Sequence, residues 1–131
     1  MKLDFDIFRL AGAALDHASA RQSVIAQNIA NADTPDYRAR DIEPFEAMYD
    51  RLSGRELAMR ATRKGHIGAV QDNPKFEASE ATAFGAEAPN GNNVSLEDQM
   101  FRGAQVKGQH DLALGIYQKS LTILRTAVAR K

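Results

Sequence analysis

The sequence predicts a mainly α-helical protein of one domain, residues 1–131, in which long N- and C-terminal helices pair as a coiled coil. Near both ends apolar residues recur every three or four positions, which is the period of a helix face. Between Asp41 and Pro89 that period is lost, and Gly, Pro and Asn become frequent. Aromatic residues make up only 7% and alanine is abundant, a composition that favours closely packed helices. We therefore expect a helix over 1–32, a turn-rich middle segment over 33–93 and a second helix over 94–131.

The N-terminal helix is predicted from Phe5 to Ala32. Its apolar positions step by four, four, three, seven and four residues: Ile7, Ala11, Leu15, Ala18, Ile25 and Ile29. They share one face, and the opposite side carries Asp6, Arg9, His17, Arg21 and Asn28. Pro35 cannot continue a helix and pushes Thr34 toward an extended conformation. Thr34-Pro35 therefore marks the helix stop, and we expect Pro35→Ala to lengthen the helix.

The C-terminal helix is predicted from Leu96 to Ala129. Ser95 resembles an N-cap, and Asp98 three residues later resembles a capping box with Asp in place of Glu. Gly103 and Gly108 are its weakest points, each costing about 1 kcal/mol relative to Ala. The predicted seam between the two helices comprises Ile7, Leu15, Ile25, Ile29, Leu114, Tyr117, Leu121, Leu124 and Val128.

A second apolar row on the C-terminal helix comprises Leu112, Ile116 and Ile123. It lies well round from the first row, so the apolar arc covers about half of the circumference, more than a two-helix seam needs. Either self-assembly or a partner covers this surface, or the middle segment folds over it. One seam of Ala-rich helices buries little apolar surface, and we expect the isolated chain to be marginally stable.

The middle segment carries weaker predictions. A short helix is predicted over Glu43–Ser53, and a small β-hairpin over residues 57–70 around Lys64-Gly65. Residues Asp72 to Asn93, which are rich in Asn, Pro and Gly, are expected to form a mobile loop.

Several function classes are excluded by composition and motif. Lys plus Arg and Asp plus Glu number 17 each and no basic run occurs, which argues against nucleic-acid binding. The chain has no cysteine, so it has neither disulfides nor a thiolate metal site. The histidines His17, His66 and His110 lack metal-ligand spacing. No nucleophile or phosphate-loop motif occurs, and we expect no catalytic residue, no cofactor and no small-molecule substrate.

No apolar run approaches the ~20 residues of a membrane span. The start of the chain is interrupted by charges, unlike a cleavable signal peptide. We therefore expect a chain that is soluble when made, and that leaves the cytoplasm, if at all, without a cleaved signal.

The stretch "NIANADTPDYRAR" after the first helix resembles the signature of flagellar rod, hook and hook-associated axial proteins, approximately N-x-A-N-x-x-T-P-G-Y-K/R. The matching residues are Asn28, Ala30, Asn31, Thr34, Pro35, Tyr37 and Arg38, whereas Asp36 stands where that family usually has Gly. "PNGNNVSLEDQM" at Pro89–Met100 and "GHI" at Gly65–Ile67 resemble the proximal rod members. The short length separates the chain from the hook and distal rod members.

The resemblance implies a structural subunit of the flagellar basal-body rod rather than an enzyme. It implies terminal helices that pair and pack side by side into a helical tube, transmitting torque from the MS ring to the hook. The implied partners are further copies of the chain, other rod proteins, the MS-ring protein with its rod adaptor, and the flagellar type III export apparatus. The implied location is the rod in the periplasmic space, after export without a cleaved signal peptide. Two alternatives stay open: a small helical protein-binding or chaperone-like module, and an enzyme that borrows its site from a partner.

Overall fold

The fold consists of two long helices and a small two-stranded sheet. The structure, a computed structural model, describes residues 2–49, 76–81 and 87–129. Helix α1 spans Lys2–Ala30, strand β1 Arg40–Ile42, strand β2 Ala78–Glu80 and helix α2 Leu96–Val128. Residues 45–49 are also helical. The predicted class, mainly α with long terminal helices that pack together, is confirmed.

Helices α1 and α2 pack against each other in antiparallel orientation. At one end the ring of Phe8 meets that of Tyr117 edge to face, 5.3 Å between centroids, and at the other end Asn28 bonds to Gln99. The apolar core between them is a cluster of Ala18, Ile25 and Val106. Small side chains let the two backbones approach closely, but they bury little apolar surface.

Helix α1 ends at Ala30, five residues before Pro35. Its last carbonyls are satisfied by hydrogen bonds from nearby amides: Asn31 Nδ2 donates to the Gln27 carbonyl at 2.8 Å, and the Asn31 backbone N–H bonds to the Gln27 and Asn28 carbonyls. The proline ring therefore lies in the following turn. The helix ends two residues before the predicted Ala32, and the lengthening of α1 by Pro35→Ala stays a prediction.

Helix α2 begins where the sequence predicts. The Ser95 Oγ accepts from the Asp98 N–H at 3.3 Å, which confirms the N-cap. The Asp98 carboxylate accepts from Arg102 Nε at 2.8 Å, one turn further along the helix. The helix runs without interruption through Gly103 and Gly108, because the 33-residue length and the contact with α1 outweigh two unfavourable positions.

Strands β1 and β2 form an antiparallel pair in which Arg40 faces Glu80 and Ile42 faces Ala78. The sheet thus joins distant parts of the chain, and the hairpin predicted over residues 57–70 lies outside the described residues. Of the helix predicted over Glu43–Ser53, residues 45–49 are helical and 50–53 lie outside the described range. The expectation of a mobile loop is wrong for β2 and for residues 87–93, which bond to the turn after α1.

The prediction that His17, Arg21 and Asn28 lie opposite the apolar face of α1 is wrong, because Arg21 stands four residues before Ile25 and Asn28 three residues after it, which places both beside Ile25 on the helix. His17, Arg21 and Asn28 are buried, with Asn28 completely so. The chain from Arg40 onward crosses this side of α1, and each polar group finds a partner there. A polar side chain can be buried at low cost when it is fully hydrogen-bonded, and helical spacing does not reveal such partners.

Candidate functional site

The two stretches of family-like sequence lie against each other in space. Residues 31–39, which follow α1, contact residues 87–95, which precede α2, and the two segments together are called the docked turn below. Asp36 N–H donates to the Asn90 carbonyl at 3.0 Å, and Ala39 N–H donates to Asn93 Oδ1 at 2.6 Å. The docked turn thus closes one end of the helix pair.

Asn28 joins three elements through a single side chain. Its Nδ2 donates to the Arg40 carbonyl at 2.7 Å and to Gln99 Oε1 at 2.9 Å. Its Oδ1 accepts from the Arg40 N–H at 3.0 Å and the Tyr37 hydroxyl at 3.2 Å. Both donors and both lone pairs are used, and the backbone partners fix the amide orientation. Asn28 therefore ties α1 to the turn, to β1 and to α2.

Asn92 plays a similar part from the opposite side of the docked turn. It is 3% exposed. Its Nδ2 lies 3.0, 2.9 and 2.8 Å from the carbonyl oxygens of Asn31, Ala32 and Thr34. Its Oδ1 accepts from the Val94 N–H at 2.8 Å. A side chain from some 60 residues downstream thus supplies the donors for the carbonyls that follow α1.

Asp36 adopts the left-handed conformation, with φ of 57°. The position therefore needs the geometry that glycine adopts most easily, and aspartate tolerates it better than most residues. Gly91 opposite has φ of 79°, and a Cβ there would collide with the Asp36 carboxylate. The positive φ favours glycine at position 91, and the Asp36 carboxylate reinforces this preference by occupying the space of a Cβ.

Next to the docked turn, a charged network links both helices to β1. Arg21 of α1 donates Nε and one guanidinium NH2 to the two Asp41 oxygens, both at 2.7 Å. Arg102 of α2 donates to the same carboxylate at 2.7 Å and to Asp98 at 2.8 Å. Burial alone would raise the pKa of Asp41, but the hydrogen bonds from Arg21, Ile42 and Arg102 and the Arg21 charge hold it below its usual value. Two arginines and two aspartates leave the network neutral.

His17 has a structural setting. Its Nε2 donates to the Glu43 carbonyl at 2.7 Å, and its ring packs against the rings of Phe45 and Phe76. Among the described residues no group of three or more His, Asp or Glu side chains is arranged to hold a metal ion. This histidine therefore anchors the segment after β1 on α1.

The residues of the predicted seam are not equivalent in the structure. Ile25 is buried in the core, while Leu15, Tyr117, Leu121 and Leu124 are half-buried. Ile7, Ile29 and Leu114 are more exposed, and Val128 is 76% exposed. Because Phe8 lies beside Tyr117, α1 starts at about the level of Leu124 and offers Val128 no neighbour.

The second apolar row is exposed along its length. Leu112 is 67% exposed, Ile116 46% and Ile123 56%. Phe101, 73% exposed, belongs to the same row, because eleven residues make three helical turns. These four residues, Phe101, Leu112, Ile116 and Ile123, are called the α2 stripe below. Of the two ways to cover the row, folding of the middle segment over it is not found among the described residues.

Sequence reasoning missed Asp41, Asn92 and Gln99. The clearest available signal was the run "NGNN", since a glycine flanked by asparagines indicates a turn with side-chain hydrogen bonds to the backbone. Neither Asp41 nor Gln99 carried a local signal, because their partners come from other elements.

In the described parts of the chain no helix is long and apolar enough to cross a membrane.

Comparisons with known proteins show which family shares this sequence. Residues 8–38, which include most of α1 and the following turn, match the family model described as flagella basal body rod protein. The flagellar basal body rod protein FlgB of Agrobacterium fabrum is 33% identical over 132 aligned positions, covering 95% of this chain and 93% of the relative. The FlgB proteins of Bacillus subtilis and Escherichia coli are 36% and 31% identical, covering 70% and 86% of this chain and 69% and 85% of their own lengths.

The chain therefore belongs to the flagellar basal body rod proteins and, within that family, to the FlgB type. It is a structural subunit of the rod and not an enzyme, and it associates with other rod components. The alternative of a small protein-binding or chaperone-like module is not favoured.

Proposed function

We propose that the chain assembles through the exposed faces of its terminal helices into the proximal rod, where it helps to transmit torque from the MS ring to the hook. The observation that carries this proposal is the α2 stripe, four large apolar side chains that the described chain leaves in water. Such a row on a monomer marks a contact surface.

The rest of the described chain packs on one half of the helix pair and leaves the other half more exposed. Around His17–Asn28 the chain after α1 packs on the helix, and the docked turn closes that end. Toward the other end the buried positions between the helices are Ala11 and Ala113, and the Phe8–Tyr117 ring pair lies beyond them. Large side chains stay exposed there on several sides, among them Ile7 and Leu10. This half is suited to being surrounded by neighbouring helices.

The free energy gained by burying the α2 stripe supports contacts with several neighbours rather than one. Burying a large apolar side chain completely is worth about 1.5–3 kcal/mol, and these four are already partly covered, so the α2 stripe supplies roughly 6 kcal/mol. Association costs about 4–15 kcal/mol in lost freedom. One stripe therefore barely supports a pair, and stable assembly needs contacts to several subunits at once, as in a helical tube.

The family resemblance supports the finer features of the proposal. The neighbours would be other rod proteins, the MS-ring protein and its rod adaptor. Delivery would use the flagellar type III export apparatus without a cleaved signal peptide, and the rod would occupy the periplasmic space. The seam residues would form the contact between the two helices of one subunit, and the turn from Asn28 to Arg38 would orient the middle segment against adjacent subunits.

The test is the variant Ile116→Asp, which places a charge in the middle of the α2 stripe. We expect the variant to be exported normally but absent from isolated basal bodies, with loss of swimming in soft agar. Gln118→Asp is the matched control, because it adds the same charge two residues away on another exposed face of α2. If Ile116→Asp supports normal incorporation and motility, the α2 stripe is not an assembly surface.

A further inference from the structure

The apolar contacts between α1 and α2 repeat every seven residues on both helices. The buried positions of α1 that face α2 are Ala11, Ala18 and Ile25, and those of α2 are Gln99, Val106 and Ala113. Because the spacing is the same on both, a slide of one helix by seven residues brings equivalent positions back into contact. That slide amounts to about 10 Å along the axis.

The apolar side chains discriminate poorly between these alignments. Only Ile25 and Val106 are larger than alanine among the five apolar residues of this set. After a slide of seven residues, Ile25 meets either Ala113 or Gln99 in place of Val106. The helices still pack, with little change in the apolar surface buried by the alanines, so these five residues leave the alignment weakly determined. Among the described apolar contacts, the Phe8–Tyr117 ring pair is the one that a slide breaks.

Polar contacts at the same interface behave differently. Five residues are joined across α1, β1 and α2: Arg21, Asn28, Asp41, Gln99 and Arg102, called the polar clasp below. Asn28 reaches Gln99 directly at 2.9 Å. The Asp41 carboxylate accepts hydrogen bonds from the guanidinium groups of Arg21 and Arg102, each with a nitrogen–oxygen distance of 2.7 Å. The three side chains are only 8–14% exposed. Hydrogen bonds of this length do not survive a displacement of 10 Å.

We propose that the polar clasp sets the axial alignment of α1 and α2, so that its five residues act as positioning residues for the assembly surfaces. In a displaced alignment Asn28 and Gln99 separate and Arg102 moves away from Asp41, while Arg102 keeps Asp98 of its own helix and Asp41 keeps Arg21. The displacement therefore costs the polar contacts that cross between the helices, and buried polar residues can fix the register of paired helices. The alternatives are thus penalised rather than the native state being strongly favoured.

The alignment has a consequence for assembly. The α2 stripe belongs to α2, whereas the turn after Ala30 is attached to α1. A slide of one helix moves these two surfaces past each other by about 10 Å, twice the ~5.4 Å pitch of a helix, and contacts to neighbouring subunits would no longer match. This consequence rests on the proposed function, but the alignment itself is a property of the single chain and is measured there.

The experiment measures a distance between spin labels in the full chain, which has no cysteine of its own. Labels are attached through Gln27→Cys and Gln118→Cys, both at exposed positions. With Asn28 level with Gln99, the two sites are offset by about 27 Å along the axis, and a seven-residue slide changes this by about 10 Å in either direction. We expect the otherwise unaltered chain to give one distance.

The apolar clasp variant replaces the five residues with side chains of similar size: Arg21→Met, Asn28→Leu, Asp41→Leu, Gln99→Met and Arg102→Met. We expect it to retain its helical circular dichroism but to show a second distance shifted by about 10 Å. The matched control is Arg38→Met with Glu87→Met, which removes an exposed ion pair between the two segments of the docked turn and should leave one distance.

Two results overturn the proposal. A single unshifted distance in the apolar clasp variant means that the contacts it retains, namely apolar packing and the docked turn, already determine the alignment. Loss of helical signal in that variant means that the clasp is needed for folding rather than for choosing an alignment. Neither result bears on the α2 stripe, which the Ile116→Asp experiment tests separately.

Discussion

The substitution Asn92→Ala tests whether a distant side chain fixes the end of α1. Asn92 Nδ2 has two hydrogens and three carbonyl oxygens within 3.0 Å, and its Oδ1 accepts from Val94. Alanine removes about three hydrogen bonds at a site that is almost closed to water. At about 1 kcal/mol each, the free energy of unfolding should fall by about 3 kcal/mol.

Asn92→Asp distinguishes hydrogen bonding from simple loss of volume. Aspartate has the same shape and can still accept from Val94, but at neutral pH its second oxygen faces three carbonyl oxygens. We expect it to destabilise at least as much as alanine near pH 7. When the carboxyl is protonated, at about pH 4 and below, it can donate one bond again, so its deficit relative to Asn92→Ala should shrink.

The assay is urea unfolding followed by far-ultraviolet circular dichroism, with hydrogen exchange at the Asp36 amide as a local measurement. Arg38→Ala serves as the control in the same turn, because its half-exposed pair with Glu87 should contribute less than about 1 kcal/mol. If Asn92→Ala unfolds within about 0.5 kcal/mol of the unaltered chain, water replaces the amide and the reasoning fails.

Three further predictions concern the same fold. Because the pKa of Asp41 is lowered in the folded chain, the stability that this carboxylate contributes is complete above about pH 3.9 and is lost as the pH falls through the lower folded pKa. The urea midpoint of the unaltered chain should therefore drop on acidification, and it should drop less in Asp41→Asn. Equal dependence of the two midpoints on pH would contradict this. Gly91→Ala should lower the free energy of unfolding by about 2 kcal/mol, because of the positive φ and the collision with Asp36. Adding Asp36→Gly should recover part of this loss, and additive effects of the two substitutions would refute the contact. Gly108→Ala should raise the free energy of unfolding by about 1 kcal/mol, since the added Cβ meets no atom within 4 Å, and an unchanged urea midpoint would count against it.

The helices and their boundaries were within reach of the sequence because they depend on neighbouring residues. The spacing of Ala11, Ala18 and Ile25 defines a face by itself, and Ser95 caps its own helix three residues away. The same holds for the exposed row on α2, which is visible as a periodic pattern. Helix α1 begins three residues before the predicted Phe5 and ends two residues before the predicted Ala32, and the contribution of Asn92 to its end comes from a distant part of the chain.

The sequence by itself thus determined the two helices, the turn inside the first family-like motif and an apolar surface wider than one seam. The tertiary structure alone decided which polar residues became interior: Arg21 and Asn28 flank Ile25 on the helix and His17 precedes Ala18, and all three are buried because other segments supply their hydrogen-bond partners. Their partners at Arg40, Asp41, Glu43 and Gln99 come from other elements. Helical periodicity records each side chain's own polarity, whereas burial of a polar group depends on whether another segment arrives with a complementary hydrogen bond.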